Sequence, residues 1–251
     1  MHFPIEVHFA DNKLPLHAIM ETAGFFLGFR YFLFLRKKQG DLIESKNRIW
    51  ILIATIFGGL IGSRLVGSLE RPYELFLTNN IWEYIYNNKT VLGGFLGGLW
   101  MVEVVKKILN EKHSSGDLFA YPIILALIIG RIGCFSMGIF EETYGVETVL
   151  FTGMNLGDGL LRHPVTLYEI CFLVFLWIGM IHFEKKYVPA EGGRFKIFMI
   201  AYILFRLLQD FIKPSYIIVA GLSTIQLTAI AGLLYYYKYL LHPKKLLVSH
   251  A

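Results

Sequence analysis

Residues 128–140, IIGRIGCFSMGIF, place an arginine inside an apolar run that is otherwise typical of a buried helix. Arg131 lies between Gly130 and Gly133 in this run. A guanidinium that faces the hydrocarbon of a bilayer costs roughly 2.5–3.5 kcal/mol on insertion scales. The segment therefore predicts a helix in which Arg131 has a specific polar partner or ligand, and the remainder of the chain indicates the surroundings of that helix.

The composition is that of a protein with several membrane spans. Of the 251 residues, 55% are hydrophobic and 17% are charged, against about 45–50% and about 25% in soluble domains. We predict an all-α polytopic membrane protein with about seven transmembrane helices of roughly 20 residues, in a single integral membrane domain over residues 1–251. The predicted spans are 15–35, 49–69, 91–109, 118–138, 165–183, 196–212 and 217–240.

The basic residues lie mainly on one side of these spans. Fifteen of the 24 lysines and arginines lie in the loops after spans one, three and five, in the tail or at the adjoining span ends, and five lie in the remaining loops. The positive-inside rule then predicts that the N-terminus is outside and the C-terminus is cytoplasmic. Because the basic residues line one membrane face, we expect no nucleic-acid partner. The extracytoplasmic loop 140–164 is longer than a simple connection and is a candidate substrate-facing element.

Three arginines from different spans lie at a similar predicted depth. Arg64, Arg131 and Arg206 each fall in the outer half of their span. Guanidinium groups bind phosphate through paired hydrogen bonds, so we predict that the three share a polar cavity open to the outer leaflet. The alternative is that each arginine pairs with an acid, for example Arg206 with Asp210 or Arg64 with Glu21.

The fifth and sixth spans contribute further polar side chains. Tyr202, Arg206 and Asp210 recur every fourth residue, which places them on one face of a helix. The fifth span opens with RHPVTLYEI. That sequence puts His163 at the membrane surface and Glu169 one turn or so inside.

Glycines and cysteines have simpler interpretations. Gly58 and Gly62 in the second span, and Gly93 and Gly97 in the third, have the spacing that lets helices pack closely. They could equally border a lipid groove. The two cysteines lie in apolar contexts, which is typical of buried small hydrophobic residues. The sequence has no CxxC pattern or His/Cys cluster, so we expect no metal and no cofactor.

The order of the motifs resembles that of the prolipoprotein diacylglyceryl transferase family. The motifs are GxxxGxR in the second span, a doubled glycine in the third, GRIG in the fourth, HPVTLYE at the start of the fifth and YxxxR in the sixth. The resemblance extends over residues 15–240. GRIG followed by HPxxLYE is its most specific part.

This resemblance implies an enzyme of the bacterial cytoplasmic (inner) membrane. It implies transfer of the diacylglyceryl group from phosphatidylglycerol, or another anionic phospholipid, to the lipobox cysteine thiol in the signal-peptide region of a prolipoprotein. The catalytic residues would be Arg131, Arg206, Tyr202, His163 and Glu169. The substrate-binding residues that match the family would be Arg64, Gly130, Gly133 and Gly145, to which the intramembrane charges add Glu21 and Asp210.

Two positions depart from the family pattern. The family has a His-Gly-Gly sequence in the third span, where residues 91–94 of this chain read VLGG. Cys134 occupies the position of the asparagine that usually follows GRIG. Since the absent histidine would be a candidate base, we expect the base to be one of His163, Glu169 and Glu21.

Two other functions remain open at this stage. One is a non-catalytic lipid or lipoprotein binding homologue, which the absence of the third-span histidine favours. The other is a transporter built from glycine-interrupted helices. Against the transporter, the halves of the sequence show no inverted repeat, and the intramembrane charges concentrate toward the outer leaflet.

Overall fold

The longest apolar runs of the sequence form the longest helices of the structure. The computed structural model describes residues 3–9 and 12–248. In chain order its elements are β1 (Glu6–Phe9), β2 (Asn12–Pro15), α1 (Leu16–Gln39), α2 (Ser45–Ser68), α3 (Pro72–Leu77), α4 (Ile81–Asn87), α5 (Val91–Ile108), α6 (Ala120–Met137), β3 (Met154–Asn155), β4 (Leu161–Arg162), α7 (Val165–Lys186), α8 (Gly193–Gln209), β5 (Ile217–Val219), β6 (Leu222–Ser223), α9 (Thr224–Tyr235) and α10 (Tyr237–Leu241). The strands pair as three antiparallel hairpins, β1–β2, β3–β4 and β5–β6.

Four helical segments are long and apolar enough to cross a membrane. They are Leu16–Gln39, Ser45–Ser68, Asp117–Phe140 and Val165–Lys186. The third of them consists of α6 with a single 3₁₀ turn at each end. These segments coincide with the predicted spans one, two, four and five. The chain is therefore mostly helical and polytopic, as the composition predicted.

The last predicted span differs from the structure at its start. The sequence predicted a continuous helix over 217–240, but β5 and β6 occupy its first residues and α9 begins only at Thr224. Ala220 and Gly221 have φ angles of 52° and 77°, which is the left-handed conformation of a tight turn and ends any helix there. Ser223 then caps α9, because its hydroxyl accepts a hydrogen bond from the backbone N–H of Gln226.

The chain folds into two units. The described residues of the first unit fall within Met1–Gly40, Gly116–Phe198 and Phe211–Pro214. Those of the second fall within Asp41–Ser115, Met199–Asp210 and Ser215–Ala251. The boundary between the two units therefore falls inside α8.

In the first unit, α1 packs against α6 through small residues and aromatic rings. A Cβ atom added to Gly24 would lie 2.9 Å from the carbonyl oxygen of Ala126, so the two backbones approach too closely for a side chain. The rings of Phe32 and Phe119 stack with centroids 4.2 Å apart. This packing fixes the position of the start of α1 relative to the GRIG segment of α6.

In the second unit, α2 and α5 pack at their glycines. A Cβ atom on Gly62 would lie 2.4 Å from the carbonyl oxygen of Gly93, and one on Gly58 would lie 2.5 Å from that of Gly97. Real Cβ atoms essentially never come so close to another atom. The interpretation of these glycines as helix-packing positions is therefore confirmed.

Candidate active site

Arg131 has an acidic partner on the neighbouring helix. Its Nε lies 2.9 Å from Oε2 of Glu169, which is on α7 one turn after the HP sequence. Both side chains are buried, with 8% of Arg131 and 1% of Glu169 exposed. For Arg131 the structure therefore shows the alternative of pairing with an acid, and that acid is itself a predicted site residue. Since a buried charge needs a partner, the pair explains how an arginine is accommodated inside this apolar helix.

The glycines beside Arg131 have different surroundings. A Cβ atom on Gly130 would have no described atom within 4 Å, so the backbone there borders open space. A Cβ atom on Gly133 would lie 3.0 Å from Cβ of Met20 and 3.1 Å from the carbonyl oxygen of His17. Gly130 therefore leaves room next to Arg131, whereas Gly133 allows α6 to pack against the start of α1.

His163 lies just before α7 and belongs to a short hydrogen-bonded chain. Its Nδ1 is 3.2 Å from the hydroxyl of Tyr168, which in turn is 2.6 Å from the hydroxyl of Thr152. The carbonyl of His163 accepts a hydrogen bond from the backbone N–H of Gly145 at 3.0 Å. A Cβ atom on Gly145 would lie 2.5 Å from Cβ of His163, so only glycine fits at this position. Gly145 thus fixes the backbone of the histidine.

The predicted loop 140–164 contains a hairpin that the sequence analysis missed. β3 and β4 pair antiparallel, and the backbone N–H of Thr148 extends the ladder by donating to the carbonyl of Leu161 at 2.8 Å. Nε of Arg162 lies 2.6 Å from Oδ2 of Asp158 within the hairpin turn. The loop is therefore an ordered element that precedes His163.

A cluster of His17, Cys134 and Glu141 lies near Arg131, and the sequence analysis missed it. Their nitrogen, sulfur and oxygen atoms all lie within 4.8 Å of one another. Glu21, a predicted site residue, has Oε2 at 3.5 Å from Nε2 of His17. No spacing rule reveals such a cluster, because the histidine precedes the cysteine by more than a hundred positions and the glutamate follows a 3₁₀ turn.

The interpretation of both cysteines as buried hydrophobic residues is wrong for Cys171. Its side chain is exposed on α7, and Cys134 is only partly buried. An exposed cysteine in an apolar helix is a small residue on the outer face of that helix. Cys134, by contrast, lies beside a guanidinium, because Nη1 of Arg131 is 3.4 Å from its Sγ.

In the second unit, Arg64 packs on an aromatic ring near the end of α2. Its guanidinium carbon lies 4.9 Å from the ring centroid of Tyr86 on α4. Its Nη1 is buried and has no hydrogen-bond partner among residues 3–9 and 12–248. A buried unpaired donor is costly, so this nitrogen is suited to an acceptor that a ligand supplies.

Tyr202 and Arg206 lie one turn apart in the last part of α8, as the sequence predicted, but Asp210 lies just beyond the helix. The helix ends at Gln209, and Asp210 begins a 3₁₀ turn instead of continuing the face. Nη1 of Arg206 donates to Oε1 of Gln209 at 3.1 Å. All three predicted residues are buried, and Tyr202 contacts Phe95 edge to face with centroids 5.3 Å apart.

Asp210 is bound to hydroxyl groups at the start of α9. Its carboxylate accepts a hydrogen bond from Ser215 at 3.0 Å and another from Ser223. The sequence suggested an ion pair between Arg206 and Asp210. In the structure Arg206 instead contacts Gln209, and Asp210 contacts Ser215 and Ser223. Asp210 ties the β5–β6 segment to the end of α8, which gives it a structural role.

The site contains arginines that can bind an anionic group, and one of them, Arg131, lies beside the thiol of Cys134. Arg131 is held by Glu169, the adjacent Gly130 faces open space, and Nη1 of Arg64 has no hydrogen-bond partner among the described residues. Guanidinium groups of this kind stabilise phosphate charge. Arg131 belongs to the first unit, and Arg64 and Arg206 belong to the second. That the three share one cavity remains a prediction.

Comparison with known proteins places these residues in a family. A family model described as prolipoprotein diacylglyceryl transferase matches residues 4–241. The phosphatidylglycerol–prolipoprotein diacylglyceryl transferase of Campylobacter hominis is 29% identical over 188 residues, which are 72% of this chain and 66% of that protein. The proteins of the same name from Cupriavidus metallidurans and Ehrlichia ruminantium are 29% identical over 234 residues and 31% identical over 223 residues.

These last two alignments each cover 84% of this chain, and they cover 80% and 83% of the relatives. The family model, which matches residues 4–241, spans α1 through α9 and with them every predicted site residue. It agrees with the order of motifs from which the resemblance was first noted. The chain belongs to the prolipoprotein diacylglyceryl transferase family.

Proposed function

We propose that this protein transfers the diacylglyceryl group of phosphatidylglycerol to the cysteine thiol of a prolipoprotein. The observation that carries the proposal is the family match over residues 4–241, since it includes the GRIG and HPVTLYE segments. The buried contact between Arg131 and Glu169, one from each segment, supports it, because motifs distant in the sequence form one arrangement.

The reaction is a substitution at a primary carbon. The acceptor thiol loses its proton, and the thiolate sulfur forms a bond to the terminal carbon of the diacylglyceryl group. The carbon–oxygen bond to phosphate breaks, and its electron pair leaves with the phosphate oxygen. The products are a thioether and glycerol phosphate. The enzyme must therefore bind the phosphate, stabilise its growing charge and help to remove a proton from a thiol whose ordinary pKa is about 8.5.

Phosphate binding is assigned to the arginines. Arg131 and Arg206 stabilise the leaving group, and Arg64 contributes a secondary contact through its unpaired Nη1. Glu169 acts as a positioning residue, because it holds the guanidinium of Arg131. The open space at Gly130 admits the headgroup. The roles of Tyr202, Gly133 and Gly145 follow from their match to the family, and Asp210 supports the end of α8.

The base remains one of three side chains. Glu169 is engaged by Arg131, and the ring of His163 contacts the hydroxyl of Tyr168. Glu21 lies beside His17 at the start of α1. Of these three, His163 is the only imidazole, which is the side chain that most often acts as a general base. An enzyme with His163→Ala and an unchanged pH–rate profile would remove it as the base.

The proposed function requires a defined cellular location and membrane orientation. The chain forms one integral membrane domain over residues 1–251, with seven spans in the bacterial inner membrane. The N-terminus is outside, the C-terminus is cytoplasmic, and residues 140–164 face the extracytoplasmic side and contact the signal-peptide region of the prolipoprotein. The uneven distribution of lysine and arginine among the loops supports this orientation.

The test is transfer by the purified protein. Vesicles of phosphatidylglycerol and a lipobox peptide are incubated with it, and mass spectrometry detects the peptide gaining a diacylglyceryl group. We expect Arg131→Ala and Arg206→Ala to lower the rate by ~10²–10³, as for other lost transition-state donors. Arg64→Ala should lower it less. Arg36→Ala, in the last turn of α1 and away from the predicted site residues, is the control and should retain the rate.

The non-catalytic binding homologue gives a different result in the same assay. The absence of the third-span histidine is the observation that favours it. A wild-type protein that binds phosphatidylglycerol but never modifies the peptide would contradict the transferase and support the binding protein. Near-normal transfer by Arg131→Ala would contradict the assignment of the phosphate site.

A further inference from the structure

Three side chains from separate segments bring a nitrogen, a sulfur and an oxygen together in the first unit. His17 lies in the first turn of α1, Cys134 lies one turn after Arg131 in α6, and Glu141 follows the 3₁₀ turn Gly138–Phe140. Nδ1 of His17 is 2.9 Å from Oε2 of Glu141, and Sγ of Cys134 is 3.9 Å from Oε1 of Glu141. The potential ligand atoms all lie within 4.8 Å of one another.

These separations suit a small tetrahedral metal ion. Zinc takes histidine nitrogen, cysteine sulfur and carboxylate oxygen at ~2.0–2.3 Å, which puts its ligand atoms about 3.4–3.7 Å apart in a tetrahedron. In the cluster, the 2.9 Å between Nδ1 of His17 and Oε2 of Glu141 is shorter than that range, and the 3.9 Å between Sγ of Cys134 and Oε1 of Glu141 is longer. Small rotations of the three side chains would therefore be enough to bind the ion.

The other nitrogen of the histidine has the partner that a metal-bound histidine requires. Oε2 of Glu21 lies 3.5 Å from Nε2 of His17, one helical turn along α1. Histidine ligands usually direct their second N–H to a carboxylate, which fixes the tautomer and leaves the first nitrogen to the metal. His17 can thus present Nδ1 to the ion while Glu21 holds its opposite edge.

The sulfur also has a suitable neighbour. Nη1 of Arg131 is 3.4 Å from Sγ of Cys134. The guanidinium lies against this sulfur as a hydrogen-bond donor, and cysteine sulfur is a soft ligand that suits zinc. The ion pair between Arg131 and Glu169 holds this cation in place from α7. The thiol is therefore in a different environment from that of Cys171, which is exposed on α7.

The backbone holds the ligands in position. Gly133 permits α6 to approach the backbone of His17, because a Cβ atom there would lie 3.1 Å from the carbonyl oxygen of His17. The hydroxyl of Ser136 donates to the carbonyl of Gly133 at 2.6 Å, and the backbone N–H of Ile5 donates to the carbonyl of Ser136 at 2.8 Å. Ligands on packed helices are held more precisely than ligands on loops.

A charge cluster without metal is the competing explanation. A protonated His17 between the carboxylates of Glu21 and Glu141 would form two ion pairs. That arrangement accounts for the carboxylates, and the sulfur of Cys134 at the third corner is the feature that favours a metal ion. Thiolate and imidazole ligands suit zinc, whereas Mg²⁺, Ca²⁺ and Mn²⁺ prefer oxygen ligands.

We propose that His17, Cys134 and Glu141 bind a zinc ion and leave its fourth position open for the acceptor thiol. This role rests on the proposed transferase function. A thiol that coordinates zinc loses its proton, here to solvent, and its sulfur remains nucleophilic toward the diacylglyceryl carbon. The ion would activate the thiol in place of the missing third-span histidine and would replace a side-chain base such as His163. The site also modifies the expectation of a metal-free protein drawn from the sequence.

The first experiment measures metal binding without any activity. The purified full chain in detergent is titrated with Co²⁺, whose absorption spectrum shows a charge-transfer band when a thiolate is a ligand, and with Zn²⁺ as a competitor. We expect the band in the wild type and in Cys171→Ser, and its loss in Cys134→Ser. Glu21→Gln should weaken binding by about 10–100-fold, as for other carboxylates behind a histidine ligand.

Controls keep this result interpretable. Gel filtration and thermal unfolding show whether Cys134→Ser is folded, and His17→Ala provides a second variant that retains both cysteines. A wild type with no charge-transfer band would overturn the metal site. A band that persists in both Cys134→Ser and His17→Ala would overturn it as well.

The second experiment separates the metal site from the transferase function. The wild type is treated with a chelator, assayed with phosphatidylglycerol vesicles and a lipobox peptide, and assayed again after Zn²⁺ is restored. Loss and recovery of transfer would support the role in thiol activation. Full transfer by chelated protein would overturn that role and leave the transferase function intact. Cobalt binding without transfer under any condition would instead contradict the proposed function.

Discussion

A guanidinium and a carboxylate buried side by side stabilise each other only while both are present. Arg131 and Glu169 are 2.9 Å apart in the first unit and are both almost fully buried. The low-dielectric surroundings strengthen their attraction, but they also make either charge costly when it is alone. The pair therefore fixes the direction of the guanidinium that we assign to the phosphate, and it links the stability of the first unit to the geometry of the site.

The residue-scale prediction concerns Glu169→Gln. This change keeps the shape of the side chain but leaves Arg131 without its counter-charge. Since losing one member of a buried pair typically costs about 3–5 kcal/mol, we expect a comparable drop in the free energy of unfolding, measured with denaturant in detergent. Glu147→Gln, at an exposed position of the loop, should stay within about 0.5 kcal/mol. Equal stabilities for the two variants would show that the ion pair contributes nothing.

Single residues were easier to predict than their contacts. The sequence identified Arg131 because a charge inside an apolar run has few structural explanations. It identified Glu169 from its place after HPVT. It did not indicate that the two touch, because contact depends on the rotation of two helices about their axes. His17 was missed for a related reason, since a lone histidine at a helix start carries no signal until α6 brings Cys134 beside it.

At the scale of the elements, backbone contact between α2 and α5 takes the place of side-chain packing. Gly58 and Gly62 face Gly97 and Gly93 so closely that carbonyl oxygens occupy the space of the missing Cβ atoms. Gly94 is in α5 with Gly93 and Gly97, but the atoms nearest to a Cβ added there would be 3.5 Å away. Helix association in a membrane depends on such close packing, because lipid tails remove the hydrophobic drive between helices.

The element-scale prediction compares Gly62→Ala with Gly94→Ala. The new Cβ atom at residue 62 would lie 2.4 Å from the carbonyl oxygen of Gly93, whereas at residue 94 the nearest atoms are 3.5 Å away. We expect Gly62→Ala to lower the free energy of unfolding by about 1–3 kcal/mol, the range for overpacking. Gly94→Ala should be neutral or stabilising, because alanine is favoured over glycine in helices by roughly 0.5–1 kcal/mol.

Denaturant unfolding of the two variants, with gel filtration as a check on folding, provides the measurement. Each change adds one methyl group to an interior glycine of this helix pair, Gly62 in α2 and Gly94 in α5, so the composition changes equally in the two variants. If Gly62→Ala proves as stable as Gly94→Ala, α2 and α5 do not approach as closely as the structure places them.

Apolar periodicity predicted the helices but not the hairpins between them. The runs that became α1, α2, α6 and α7 are long enough that length alone indicates a helix. The run over 217–240 is equally apolar, and only the turn at Ala220 and Gly221 separates β5 from β6. An alanine–glycine pair does not mark a hairpin turn strongly, since alanine rarely adopts a positive φ. The error therefore covers the residues before α9, and a second break in the predicted span separates α9 from α10 at Tyr236.

At the scale of the whole molecule, the distribution of charge predicts an orientation. The loops and adjoining span ends on the proposed cytoplasmic side carry fifteen of the 24 lysines and arginines. The β3–β4 hairpin and His163, which directly precede α7, fall on the side that we propose to be outside. A lipoprotein precursor presents its lipobox cysteine at the outer end of its signal segment, so the proposed chemistry requires the outside location of residues 140–164.

The whole-molecule prediction is that reporters fused at two places give opposite signals. A fluorescent protein fused after the C-terminus should fold and fluoresce, because positive-inside placement puts that end in the cytoplasm. Alkaline phosphatase fused after Gly159, in the exposed turn between β3 and β4, should be active, because that enzyme forms its disulfides only outside the cytoplasm. Exchanging the two reporters supplies the control, since a fluorescent protein after Gly159 should be dark and a phosphatase after the C-terminus inactive. The opposite pattern would place loop 140–164 in the cytoplasm, where no lipobox cysteine is presented, and the proposed transferase would have to be abandoned.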